Sequence, residues 1–146
     1  VVLELAIAEQ DASTLTLKSI GPEGRPYRKH FLDLKGLGIR DLCLQGSDLL
    51  ILAGPTLALA GPLTIFRWPS GARPERESLV FNEALPTVLE LLTDAGPKAG
   101  QEQAEGLTLF GLDRGEATKV LVIYDSPAPR RRRGTRAVEA DLFALP

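Results

Sequence analysis

The stretch "IRDLCLQGSDLLILAGP", residues 39–55, decides how this chain is read. Two apolar runs of strand length flank a Gly-Ser-Asp turn, the pattern of two antiparallel strands joined tightly. A second stretch, "AEGLTLFGLDRGEATKVLVIYDSP" (104–127), has the same layout. Laid over one another, Arg40, Leu42 and Leu44 fall opposite Glu105, Leu107 and Leu109. "LLILAGP" (49–55) then lies over "LVIYDSP" (121–127), which pairs Asp125 with Ala53. A third run follows each copy, "LTIFRWP" (63–69) and "ADLFALP" (140–146). Repeated units of this kind bury their apolar faces by stacking on their neighbours, and loop insertions stretch the spacing between copies.

The same punctuation runs outward through the chain. "VVLELAIA" (1–8), "STLTLKSI" (13–20) and "KHFLDL" (29–34) are further short runs of strand length. Gly, Pro, Asp and Ser separate the runs, as in "GPEG" (21–24), "QGSD" (45–48), "AGP" (60–62) and "DRGE" (113–116). One segment admits two readings. "EALPTVLELLTDAG" (83–96) sets Leu85, Val88, Leu89 and Leu92 at helical spacing with Gly96 as a C-cap, or forms a strand at 87–92 after the pre-proline extension. The strand reading gives the first repeat unit a fourth strand. "GPKAGQEQ" (96–103) has no core pattern and reads as a surface loop.

Composition sets the outer limits. The chain has 146 residues, 44% hydrophobic and 25% charged, which suffices for a packed core. A net charge of -2 gives no global attraction to nucleic acid or to an anionic membrane. No stretch approaches the ~20 apolar residues of a membrane-spanning helix, so the expectation is a soluble protein. The single cysteine, Cys43, excludes an internal disulfide framework and reads as a small buried hydrophobe. There is no methionine, and "VVLELAIAEQ" opens in what looks like mid-strand. The expectation is a segment of a longer protein, with any targeting signal upstream.

The second strand of each repeat unit is nearly continuously apolar, so its sheet is expected to be covered on both faces. Four-stranded antiparallel sheets sandwiched between neighbours are the blades of a β-propeller. The expected fold is therefore all-β: a partial β-propeller of about two to three blades. Residues 1–35 would end one blade, 36–95 form a second and 104–146 the last. "GLGIRDLCLQGSDLLILAGPT", "GPLTIFRWPSG" and "AEGLTLFG…KVLVIYDSPA" resemble the C-terminal part of a bacterial family of uncharacterised propeller proteins, domain of unknown function 3616. The likeness covers most of residues 27–146, and "AEGL" followed by "LVIYDSP" is shared more loosely with phytase-like and esterase-like propellers. The resemblance implies a propeller and no agreed activity. It also implies that the chain is completed by the rest of its own propeller or by other copies.

Inner strands of propeller blades line a central channel whose mouth is the usual ligand site. Arg40 and Asp41 begin one such strand, Glu105 begins the other, and Asp125 ends the strand after it. These four form the candidate channel-mouth site for a small molecule or protein ligand. The competing reading pairs Arg40 with Glu105 as an architectural contact between equivalent positions. Calcium, present in phytase-like propellers, is a cofactor the looser likeness raises, but no D-x-D-x-D-G loop occurs. His30, the only histidine, has no G-x-S-x-G elbow to serve and reads as a surface or hydrogen-bonded structural residue. "PRRRRGTR" (129–136) lies between strands without aromatics to stack bases, so it reads as a solvated hairpin rather than a nucleic-acid site. Phe66 and Trp68 read as packing residues. Two function classes follow: a non-enzymatic binding propeller, or a hydrolase using the channel carboxylates and a metal ion.

Overall fold

Turn residues cut the chain into short strands wherever the apolar pattern stops. A computed structural model describes residues 1–11, 13–56, 62–91, 103–113, 116–125 and 127–146. Its strands are β1 (Val2–Leu5), β2 (Ile7–Asp11), β3 (Thr14–Leu17), β4 (Tyr27–Leu32), β5 (Gly38–Gln45), β6 (Asp48–Gly54) and β7 (Leu63–Trp68), followed by β8 (Ser78–Val80), β9 (Thr87–Leu91), β10 (Gln103–Asp113), β11 (Glu116–Asp125), β12 (Arg132–Arg133), β13 (Ala137–Val138) and β14 (Asp141–Ala144). The all-β expectation holds. The segment with two readings becomes a one-turn 3-10 helix at Asn82–Ala84 followed by β9, so the strand reading is the observed one. Leu92, Gly96, the rest of the 92–102 stretch, and parts of the turns at 60–62 and 113–116 lie outside the described residues.

The strands form three principal sheets. The first has the order β1-β4-β8, the central one β5-β6-β7-β9 and the third β10-β11-β14; β2-β3 and β12-β13 are separate hairpins. The central and third sheets are antiparallel meanders in chain order. The first sheet is mixed, because β8 leaves the central stretch of sequence to pair in parallel with β4. The tight β5–β6 turn is possible because Gly46 adopts φ 61°, a left-handed conformation without penalty for glycine.

Two cores explain why β6 is apolar throughout. Leu50 and Leu52 point to one side with Leu63, Ile65 and Leu91, and pack against Leu107, Val120 and Val122 of the third sheet. Leu49, Ile51, Phe66 and Trp68 point to the other side and pack with Leu34, Val80 and Leu85. Every β6 residue from Leu49 to Gly54 is therefore buried. Phe66 and Trp68 are packing residues as expected. Cys43 is only half-buried at the edge of the first of these cores, and burial pushes its thiol above the ordinary range.

The ladders also correct the overlay of the two copies by one residue. Leu44 faces Leu49 as Leu109 faces Val120, and Gly38 faces Gly54 as Gln103 faces Asp125. The counterpart of Leu49 is thus Val120 rather than Leu121, and that of Asp125 is Gly54 rather than Ala53. In the third strands the shift is two residues: Trp68 corresponds to Phe143 rather than Leu145, since Leu49 faces Trp68 as Val120 faces Phe143. A one-residue shift exchanges the two faces of a strand. With the shift made, Val120 and Val122 occupy the places of Leu49 and Ile51. Each sheet then presents the same face to the sheet before it.

Candidate functional site

Strands β5 and β10 carry an irregularity at the same place. The β5–β6 register shifts between Ile39 and Asp41, and the β10–β11 register shifts between Ala104 and Gly106. The residues at these bulges are Arg40 and Glu105. A bulge re-aims a side chain out of the normal alternation, and here the two re-aimed side chains meet. Arg40 Nη1 donates to Glu105 Oε1 in a partly buried ion pair and to Gln103 Oε1 at 3.1 Å, while Nη2 donates to the Pro55 carbonyl. The architectural reading of this pair matches the contact observed.

Asp41 forms the second bond between these sheets. Its Oδ2 accepts the Leu107 N–H at 2.7 Å and its Oδ1 accepts the Leu42 N–H at 2.8 Å. Gly106, beside this bond, has no room for a side chain, because a Cβ there would stand 2.5 Å from Ile123 Cγ1. Arg40, Asp41 and Glu105 are therefore brought together. Asp125 is exposed and faces Gln103 across the β10–β11 ladder, at the same end of the sheets.

This donor set does not fit a divalent cation. The Arg40 guanidinium occupies the space between the strands, and both Asp41 oxygens already accept backbone N–H groups. Hard cations take six to eight oxygens with little positive charge nearby. Among the described residues, no group of three or more His, Cys, Asp or Glu side chains is placed to hold a metal ion.

A second polar cluster has no counterpart in the sequence motifs. His30 is fully buried within β4. Its Nδ1 lies 2.8 Å from Ser78 Oγ on β8, and its Nε2 lies 3.2 Å from Glu4 Oε2 on β1. Arg28 Nη1 approaches both Glu4 oxygens at 3.5 Å and donates to the Pro74 carbonyl at 2.9 Å, while its Nε donates to the Ile20 carbonyl at 2.8 Å. The Trp68 ring packs on the imidazole, with centroids 5.3 Å apart. Of the two sequence readings of His30, on the surface or hydrogen-bonded, the second is the observed one, and burial rules out the first. Its two partners could not be found by motif, because they come from strands on either side of β4.

A family model described as "Protein of unknown function (DUF3616)" matches residues 1–141. The chain belongs to this family. Neither a curated protein nor a solved structure matches this DUF3616 chain. The family carries no assigned chemistry, so the residues of this DUF3616 protein have to be judged on their own contacts.

Judged so, the arginine run is largely structural. Arg131 grips Asp141 through two bonds of 2.7 Å and lies over the Tyr124 ring at 4.1 Å, while the Tyr124 hydroxyl donates to the same carboxylate at 2.7 Å. Chiefly through these hydrogen bonds, Arg131 holds the Asp141 carboxyl below its ordinary value. Arg133 Nε donates to Glu139 at 2.7 Å, and the run turns through the β12–β13 hairpin. No described helix is long and apolar enough to cross a membrane.

Proposed function

We propose that this DUF3616 chain is a stretch of β-propeller whose bulge end acts as a non-enzymatic module that binds a ligand or protein. The single observation that supports it is the equivalence of a covered face with an open one. Asp41 faces Leu52 as Gly106 faces Ile123, so these two residues hold the same place in successive sheets. Leu52 is 0% exposed beneath the third sheet, whereas Ile123 is 52% exposed with nothing described above it. The same holds in the opposite direction. Leu42 and Leu44, at 38% and 60% exposure, occupy the places of Leu107 and Leu109, which are packed against the central sheet.

The open face of the third sheet is thus built for one more sheet of like design, and the uncovered β5 end of the central sheet's backward face for further apolar cover. That is the arrangement of propeller blades, whose short edges and apolar faces are covered by neighbours. The partner is the rest of the same propeller or other copies of the chain. The bulge end, where Arg40, Asp41, Glu105 and Asp125 gather, is the proposed ligand-facing end. A metal-dependent hydrolase using those carboxylates is the weaker reading, because Arg40 and two backbone N–H groups already consume their charge.

Sedimentation velocity tests the proposal. The 146-residue chain is expected to self-associate with rising concentration through its open faces. Ile123→Lys with Leu42→Lys should return it to a 15.7 kDa monomer with an unchanged circular dichroism spectrum. A folded monomer at every concentration in the unmodified chain would contradict it.

A further inference from the structure

The Glu4–His30–Ser78 cluster has the layout of an activated nucleophile: a hydroxyl, a base within hydrogen-bond reach and a third group that orients the base. The order of roles follows from donor and acceptor capacity. An ionised Glu4 carboxylate can only accept, so in neutral imidazole the proton sits on Nε2 and faces Glu4. That leaves the Nδ1 lone pair directed at the Ser78 hydroxyl, 2.8 Å away. The nitrogens are exchanged relative to the common Ser-His-Asp arrangement, but such constellations are recognised by geometry and roles rather than position.

The surroundings hold this arrangement in place. Arg28 fixes the Glu4 carboxylate from its far side and is itself anchored on the Ile20 and Pro74 carbonyls. Trp68 fixes the plane of the imidazole and excludes water from it. Ser78, by contrast, is half-buried and sits on β8, which among the described strands pairs only with β4. Among the described residues no strand pairs with the outer edge of β8, and a strand edge of that kind presents unpaired backbone N–H groups. Such groups can receive the oxygen that becomes negative when a carbonyl is attacked. Buried Val80 and Trp68 make the ground beside Ser78 apolar, which suits a neutral acyl group.

The geometry points to Ser78 as a nucleophile that takes acyl groups from carboxylic esters, with His30 as its base and Glu4 as a positioning residue. In the first step the Ser78 oxygen bonds to the ester carbonyl carbon and its proton passes to His30 Nδ1. The C=O pair moves onto the carbonyl oxygen, then returns as the bond to the alkoxy oxygen breaks. That leaving oxygen takes the proton from Nδ1 and departs as the alcohol. In the second step water adds to the acyl-serine carbon, losing its proton to Nδ1. Collapse breaks the Ser78 ester bond, the proton returns to Ser78 and the acid is released. This inference requires only β1, β4 and β8, and stands apart from the propeller proposal.

The test is covalent labelling of the folded chain with an alkyl fluorophosphonate, read by peptide mass mapping. The expected result is one phosphonyl group on Ser78, ahead of the turn serines Ser47 and Ser70. Ser78→Ala should abolish it in a chain that still unfolds cooperatively, at a melting transition lowered by the loss of the buried His30 partner. His30→Gln should slow labelling by ~10²-fold or more, the scale of a lost general base. In Glu4→Gln the new amide can donate to Nε2 and drive the proton onto Nδ1, silencing the base. That variant should label as slowly as His30→Gln, and Glu4→Asp should restore most of the rate. A purely architectural cluster would leave Ser78 unlabelled in the folded chain. Absence of the Ser78 adduct on the unmodified chain therefore overturns the inference, whatever the folding of the variants. Labelling that survives in folded His30→Gln at an unchanged rate does so too.

Discussion

At the scale of residues, the chain uses charge to fasten sheets to one another. Arg40 donates to three acceptors, Gln103, Glu105 and the Pro55 carbonyl, from a side chain 18% exposed, so its loss leaves Glu105 and that carbonyl short of donors. Arg40→Ala is expected to cost about 1–3 kcal/mol in urea denaturation, the range for unsatisfied partly buried groups. A double-mutant cycle with Glu105→Gln should show coupling between the two positions; strictly additive effects would mean that the contact carries nothing. Asp141 supplies a pH dependence. Arg131, then Tyr124, hold its folded-state carboxyl below the ordinary value near 3.8. A depressed carboxyl contributes stability that is complete above the unfolded value and fades as pH falls through the folded one. Asp141→Asn should therefore destabilise at neutral pH and flatten the acid limb of the stability profile below about pH 4.

At the scale of elements, strands were legible and their phase was not. Short runs bounded by Gly, Pro and Asp marked β1, β3, β4, β5, β6, β7, β10 and β11, because turn chemistry is local. Alternation normally tells which residues share a face, but β6 is buried on both sides, so its pattern carries no phase and the overlay slipped by one residue. β8 escaped notice for a different reason: three residues paired in parallel leave too little periodicity to see. The candidate sites divide the same way. Arg40, Asp41 and Glu105 lay at matching places in a visible repeat and do meet. Glu4, His30 and Ser78 are far apart in sequence and are joined only by the pairing of β4 with β1 and β8. The corrected phase makes its own prediction. Leu52→Ala should cost about 2–5 kcal/mol as a cavity in a closed core, whereas Ile123→Ala, at the same place on the open sheet, should cost under about 1 kcal/mol. Thermal or urea unfolding of the two variants distinguishes them.

At the scale of the whole molecule, three sheets lie in sequence, and the central one is covered on both sides by its neighbours in the chain. The third sheet repeats the central one in strand order, in bulge position and in the face it turns backward. The account rests on that face-to-face contact between the two repeats. Methyl–methyl nuclear Overhauser measurements on selectively labelled Leu and Val residues test it most directly. Cross-peaks from Leu50 and Leu52 to Leu107, Val120 and Val122 are the predicted result. Leu50 and Leu52 methyls that contact only residues of their own sheet, with Leu49 and Ile51 facing the third sheet instead, would contradict it.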